Sequence, residues 1–158
     1  MAERERRKVT RRRKIILASG TFDLLHLGHV KYLEEAKKAG GKNAKLVVIV
    51  ARDSTVEKRK GRKPVMPEEQ RRVLVESLKV VDKALLGYEN FDMGKVIENL
   101  KPDIIAVGYD QNGIEAQAHK TVEEKKLNIR VVKIKKFGKP ELNSSLKIKR
   151  KISRLYKG

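Results

Sequence analysis

The chain has 158 residues, 39% of them apolar, no cysteine and a formal net charge of +19. That size and apolar content suit one domain with its own core rather than a disordered chain, and the missing cysteines exclude a disulfide framework, a thiolate metal site and a thiol nucleophile. The longest apolar run, Leu46 to Ala51, is far short of the ~20 residues that cross a bilayer, and no apolar segment follows the basic start as a secretory signal requires, so a cytoplasmic protein with no membrane partner is expected.

Residues 1–13 have no apolar periodicity and are expected to be a flexible basic arm; residues 14–158 form the domain. Ile15 to Ala18 is a short apolar run ending in Ser19-Gly20, which predicts a buried strand meeting a turn. A loop over Thr21 to Gly28 follows. From His29, apolar residues at Val30, Leu33, Ala36 and Ala39 recur at helical spacing until Gly40-Gly41. Leu46 to Val50 is β-branched without alternation, the pattern of a strand covered on both faces. After a basic loop, Pro67-Glu68-Glu69 opens a second helix with proline and acids in its first turn. Lys83 to Leu86 predicts a third strand, Met93 to Leu100 a helix stopped by Pro102, and Asp103 to Gly108 a fourth strand. Glu115 to Lys126 reads as a helix, Arg130 to Ile134 as a fifth strand and Ser144 to Tyr156 as a terminal helix. Strands alternating with helices predict an α/β fold, a single Rossmann-like doubly wound domain with a five-stranded parallel sheet.

In such a sheet, ligands bind beyond the carboxyl ends of the strands. Four segments fall there. Gly20-Thr21-Phe22-Asp23-Leu24-Leu25-His26-Leu27-Gly28-His29 places two of the three histidines between strand one and helix one, with a glycine that allows close backbone approach. Imidazole donors and free N–H groups at a helix start suit a polyphosphate. The alternatives are a capping histidine beside a surface one, or a metal pair without an obvious third ligand. Glu57 to Pro64, with Arg71-Arg72, is a basic run on the same sheet edge. Asp110, after strand four, could hold a divalent cation, a ribose or a base, or simply sit in a turn. Ser144 or Ser145 caps the last helix, and a capped helix start is also an anion site. The phosphate-loop and dinucleotide-binding glycine patterns, a serine-nucleophile elbow and a zinc motif are all absent from the sequence. Donors and cations converging on phosphate, without a dedicated base, point to phosphoryl or nucleotidyl transfer.

His26-Leu27-Gly28-His29, in its Gly20-Thr21-Phe22-Asp23 setting, resembles the first signature of the cytidylyltransferase-like nucleotidyltransferases. Asn143-Ser144-Ser145-Leu146-Lys147-Ile148 resembles their second. Ala51 to Val56, Lys60 to Pro64, Pro67 to Arg72, Lys101 to Ile105 and Gly108 to Gln111 are most similar to the archaeal FAD synthases. The resemblance implies that the chain joins FMN to the AMP of ATP, giving FAD and pyrophosphate, with Mg²⁺ or a similar divalent ion. It further implies that Thr21 and Phe22 offer backbone contacts to the nucleotide, that Leu27 and Gly28 belong to its site, and that His26 and His29 bind its phosphates and stabilise the transition state. Lys60 or Lys63 reaches the triphosphate, Arg71 matches the family's helix arginine, Asp110 contacts the nucleotide, and Ser144 and Ser145 bind the β- and γ-phosphates. No residue is assigned as a metal ligand, and a homodimer is compatible with the sequence. Members of that group often carry cysteines near the C-terminus, so this chain should lack any thiol-dependent behaviour.

Two other readings compete. Glycerol-3-phosphate cytidylyltransferases share both signatures, but the arginine and threonine of their second motif are missing from Gly138 to Ser145, and CTP could then replace ATP. A flavin needs aromatic lining, for which Tyr109 and Phe137 are candidates, although either could serve in packing. A nucleic-acid-binding protein is the alternative of another class. Residues 1–14 carry eight bases and two acids, and residues 133–158 ten bases and one acid. The aromatics are few and do not interleave with the bases as a stacking platform would, so no specific nucleic acid is expected. The run from Glu57 to Arg72 and the C-terminal bases flank the expected triphosphate site, where they would concentrate an anionic substrate.

Overall fold

The computed structural model describes residues 11–138 and 143–158. Five strands, β1 (Ile15–Gly20), β2 (Lys45–Val50), β3 (Lys83–Leu86), β4 (Ile104–Val107) and β5 (Arg130–Lys133), form one sheet. Their order is β3-β2-β1-β4-β5, and every pairing is parallel. The helices are α1 (Leu27–Lys38), α2 (Asp53–Lys60), α3 (Glu68–Glu76), α4 (Met93–Leu100), α5 (Asn112–Glu124) and α6 (Ser145–Leu155). This is the doubly wound α/β domain that the alternation of strands and helices predicts.

Side chains alternate across the sheet. Ile16, Ala18, Leu46, Val48 and Val50 face one side, with Leu33 and Ala36 of α1 and Val75 of α3. Leu17, Ile49, Ile105 and Val107 face the other, with Met93, Val96 and Ile97 of α4 and Ala118 of α5. Burial on both faces is why β2 reads as an unbroken apolar run.

Three boundaries differ from the sequence reading. The segment read as a basic loop after β2 contains α2, which has only Val56 buried and so carries no apolar periodicity to betray it. Helix α1 starts at Leu27, so Leu27 and Gly28 are helical rather than loop residues. Helix α5 starts at Asn112, three residues before Glu115.

The expected flexible arm over 1–13 lies largely outside the described residues. Its last members run along the amino edge of the sheet. Arg12 pairs with Asp103 at 2.7 Å, whose other oxygen accepts the Ile15 N–H at 2.8 Å. Arg13 donates to the Asn43 carbonyl at 2.7 Å.

Candidate active site

A cleft of about 790 Å³ opens over the carboxyl ends of the strands. It straddles the junction of β1 with β2 and β4, where the chain winds outward in opposite directions, the place where this topology leaves a crevice.

The floor is the β1–α1 connection. Phe22 is buried with φ of +53°, a left-handed conformation that costs a non-glycine residue energy and must be held by its surroundings. Its ring covers Gly20, where a Cβ would lie 2.9 Å from ring atoms. Four residues after Phe22 comes His26, the N-cap of α1, with His29 in the helix's first turn. The His26 N–H donates to Nδ1 of His29 at 3.2 Å, and the two imidazoles stack with centroids 3.7 Å apart. Because Nδ1 of His29 accepts, its proton resides on Nε2. Burial foremost, and then the proximity of His26, lower the His29 pKa to about 3 against a weaker opposing pull from Asp23. His29 is therefore a neutral N–H donor at physiological pH. No acid occupies the first turn of α1, so its positive end is open to an anion.

Gly28 has a different task. A Cβ there would meet the Asn143 backbone at 2.9 Å and the His26 ring at the same distance. A glycine between the histidines lets the first turn of α1 touch the chain entering α6. The two sequence signatures, far apart in the chain, thus meet backbone to backbone.

Buried polar groups hold this junction. Asp23 accepts from the N–H groups of Val65 and Met66 at 3.0 and 2.9 Å and pairs with Lys149 of α6 at 2.7 Å. Burial by itself would raise its pKa, but Lys149 and the two N–H groups together hold the carboxyl below its usual range. Ser145 donates through Oγ to the Leu24 carbonyl at 3.1 Å, and Ser144 caps α6 by accepting from the Lys147 N–H.

Arg71 departs from its expected place. It is fully buried, beneath the cleft floor rather than in the wall. Its guanidinium donates to the carbonyls of Met66 (2.9 Å), Thr21 (2.7 Å) and Ala51 (2.8 Å) and pairs with Asp53 at 2.6 Å. With these donors committed, it braces the Thr21 turn from behind and does not face the cleft. Leu27 is likewise absent from the wall and points outward.

The other expected residues converge. Thr21, Phe22, His26, Gly28, His29, Lys60, Lys63, Asp110, Ser144 and Ser145 all line the cleft. Lys60 has its pKa lowered by partial loss of water and then by Arg59 and Lys149, against the pull of Asp110 and Asp23. Tyr109 and Phe137 line it as well, and Lys136 stands 5.2 Å over the Tyr109 ring. Not singled out from sequence were Arg59, which donates to Thr21 Oγ1 at 3.1 Å, Lys149, and two aromatics beyond β3, Tyr88 and Phe91. The signal available for the aromatics was their position: they follow a strand on the edge that carries every other site segment.

Among the described residues, two carboxylates line the cleft: Asp23 is engaged, and Asp110 is exposed at the rim. Among the described residues, no group of three or more His, Cys, Asp or Glu side chains could hold a metal ion. The donor set suits an ion brought in on phosphate oxygens and its own waters, with at most one protein carboxylate.

Residues 17–151 match the profile of the cytidylyltransferase-like family. The chain belongs to that family. It is 49% identical to the FAD synthase of Methanobrevibacter smithii over 146 residues, 92% of this chain and 95% of that one. It is 51% identical to the FAD synthase of Methanothermus fervidus over 139 residues, 88% of this chain and 94% of the relative. Among solved structures, a Thermoplasma volcanium protein described as a lipopolysaccharide core biosynthesis protein matches with a TM-score of 0.70 and 44% identity. The match covers 78% of this chain and 98% of that one.

Proposed function

We propose that this protein transfers the AMP moiety of ATP to the phosphate of FMN, giving FAD and pyrophosphate. The observation that carries the reading is the 49–51% identity, over nearly the whole length of both partners, to family members that are FAD synthases. The cleft supports it. An oxygen of the FMN phosphate attacks the α-phosphorus of ATP, the bond from that phosphorus to the bridging oxygen breaks, and pyrophosphate leaves with the electron pair. A phosphate monoester, with a second pKa of about 6, is already ionised at neutral pH, so no general base is required. His26 and His29, with the open start of α1, stabilise the charge that builds on the transferring phosphoryl group. Lys60 and Lys63 reach the β- and γ-phosphates from the α2 side. Ser144 and the N–H groups at the start of α6 meet the same phosphates, since the Ser145 hydroxyl is already given to Leu24. A divalent cation, held by the triphosphate and by Asp110, would neutralise charge on the leaving pyrophosphate.

The cleft has an aromatic pair on each side of the histidines. We assign the Tyr88–Phe91 side, beyond β2 and β3, to the flavin ring, and the Tyr109–Phe137 side, beyond β4 and β5, to the nucleoside. FMN and ATP are water-soluble, and among the described residues no helix is long and apolar enough to cross a membrane. We place the reaction in the cytoplasm.

The match to the cytidylyltransferase-like family keeps a second reading in view, a cytidylyltransferase acting on a small phosphate ester. Incubation with FMN or glycerol 3-phosphate, with ATP or CTP, and with Mg²⁺, followed by separation of products, tests both. FAD from FMN and ATP is expected. No dinucleotide with either triphosphate, or a cytidylylated ester in its place, would overturn the proposal.

A further inference from the structure

Strands β1 and β4 separate where the crevice opens, and one side chain stands in the gap. Their pairing runs in register from Ile16 opposite Ile104 to Ala18 opposite Ala106 and stops there. The Gly20 carbonyl accepts from the Ala51 N–H, on the β2 side, so the Ser19 carbonyl points the other way, towards β4. The next bond of the ladder would therefore run from the Gly108 N–H to the Ser19 carbonyl. The side-chain amide of Gln111 lies between those two groups instead. Gly108 donates to its Oε1 at 2.7 Å, and its Nε2 donates to the Ser19 carbonyl at 2.9 Å. A backbone N–H only donates and a carbonyl only accepts, so both contacts fix the same orientation of the amide.

A glutamine amide carries a donor and an acceptor side by side, as a peptide unit does. Inserted here, it continues the hydrogen-bonding while keeping the two strand ends an amide's width further apart. The turn that opens α5 puts Gln111 in place, its own N–H donating to the Gly108 carbonyl at 3.1 Å. One step below, the Tyr32 hydroxyl donates to the Ala106 carbonyl at 2.9 Å and supports the end of β4 from α1. The width of this gap matters because β1 leads into the histidine turn and β4 into Tyr109 and Asp110, all of which line the cleft. We propose that Gln111 is a positioning residue whose amide is a spacer. It holds the ends of β1 and β4 apart, and so sets the distance at which one triphosphate reaches both the histidine turn and the β4 side. The inference rests on the nucleotidyltransferase reading given above.

Two variants separate spacing from stability. In Gln111→Ala the gap closes, and Gly108 should bond to Ser19 directly. In Gln111→Met a side chain of similar length keeps the strands apart but leaves both backbone groups without the amide. Magnetic resonance coupling through the hydrogen bond, from the Gly108 nitrogen to the Ser19 carbonyl carbon, reads the closure. It should be present in Gln111→Ala and absent in wild type and Gln111→Met. Gln111→Ala should keep a Tm close to wild type yet lose about a hundredfold in kcat/KM for FAD formation and about tenfold in calorimetric affinity for ATP. Gln111→Met should have the lower Tm and the higher activity of the two. A merely structural glutamine would make activity follow Tm across the three proteins. That result overturns the inference, as does the lack of coupling in Gln111→Ala, or coupling there with activity and ATP affinity unchanged. If the wild type forms no FAD, the proposed reaction fails, while the coupling and the ATP affinities still decide for or against the spacer.

Discussion

Replacing Arg71 with methionine keeps most of the side-chain volume and removes a guanidinium that serves four acceptors at once. Removing one partner of a buried ion pair costs about 3–5 kcal/mol, and Asp53, partly in water, places this pair towards the lower end. The carbonyls of Thr21, Ala51 and Met66 lose their donor as well, at about 1–3 kcal/mol for any that stays dry. A net loss of about 3–5 kcal/mol corresponds to roughly 6–20 °C in Tm at 2–4 °C per kcal/mol. Because the Thr21 carbonyl precedes the strained Phe22, the β1–α1 loop should relax too, and if it holds the substrate as proposed kcat/KM should fall by about a hundredfold from misplacement alone. Arg71→Lys should also be destabilised, since one ammonium cannot span the same acceptors, but less than Arg71→Met, because it keeps a cation for Asp53. Calorimetry and steady-state kinetics on the same preparations decide the matter. If Arg71→Met abolished turnover at an unchanged Tm, Arg71 would act on substrate, and the bracing role assigned to it would be wrong.

Gly28→Ala should lower kcat/KM by about a hundredfold, because its methyl would push the Asn143 backbone away from α1; activity within twofold of wild type would contradict the close approach. Tyr88→Ala and Phe91→Ala should each raise the KM for FMN by about tenfold without changing that for ATP, and an effect confined to ATP would reverse the assignment of the two sides. His29 has a folded pKa near 3 against an ordinary 6.5. As pH falls below 6.5 the unfolded chain takes up this proton while the folded chain does not until about 3, so stability should drop across that window and be independent of this group above it. Urea midpoints at pH 4, 5 and 7 should therefore vary less in His29→Gln than in wild type, and equal slopes would show that His29 is not held neutral.

How much of this was legible in the sequence depended on whether a residue's role followed from periodicity. The strands and most helices follow from apolar pattern and from Gly or Pro stops, and β3 and α4 fall where the pattern puts them. Helix α2 does not, because its first and last turns are polar and one valine is its only buried residue. The histidine loop was legible as part of a site at the carboxyl end of β1, and it lines the cleft, but the start of α1 within it was not legible, since a helix capped by histidine has none of the usual Ser, Thr, Asp or Asn signal. Arg71 is expected in the site because it matches the family's helix arginine and sits in a basic run on the site's edge of the sheet, yet it lies beneath the cleft floor. Its neighbour on the same helix face, fully buried Val75 one turn later, was the available sign that position 71 points inward. The partners of Asp23 and Asn143 lie far away in the chain, and no local pattern announces them.

The central claim, adenylyl transfer to FMN, is tested most directly by following the α-phosphorus. Wild-type protein, FMN and Mg²⁺ are incubated with ATP labelled at the α-phosphate, and in parallel with ATP labelled at the γ-phosphate. The account predicts α-label in FAD, γ-label in pyrophosphate, and equal amounts of the two products. Release of the α-label as free AMP, or its appearance in a product without flavin, would contradict it.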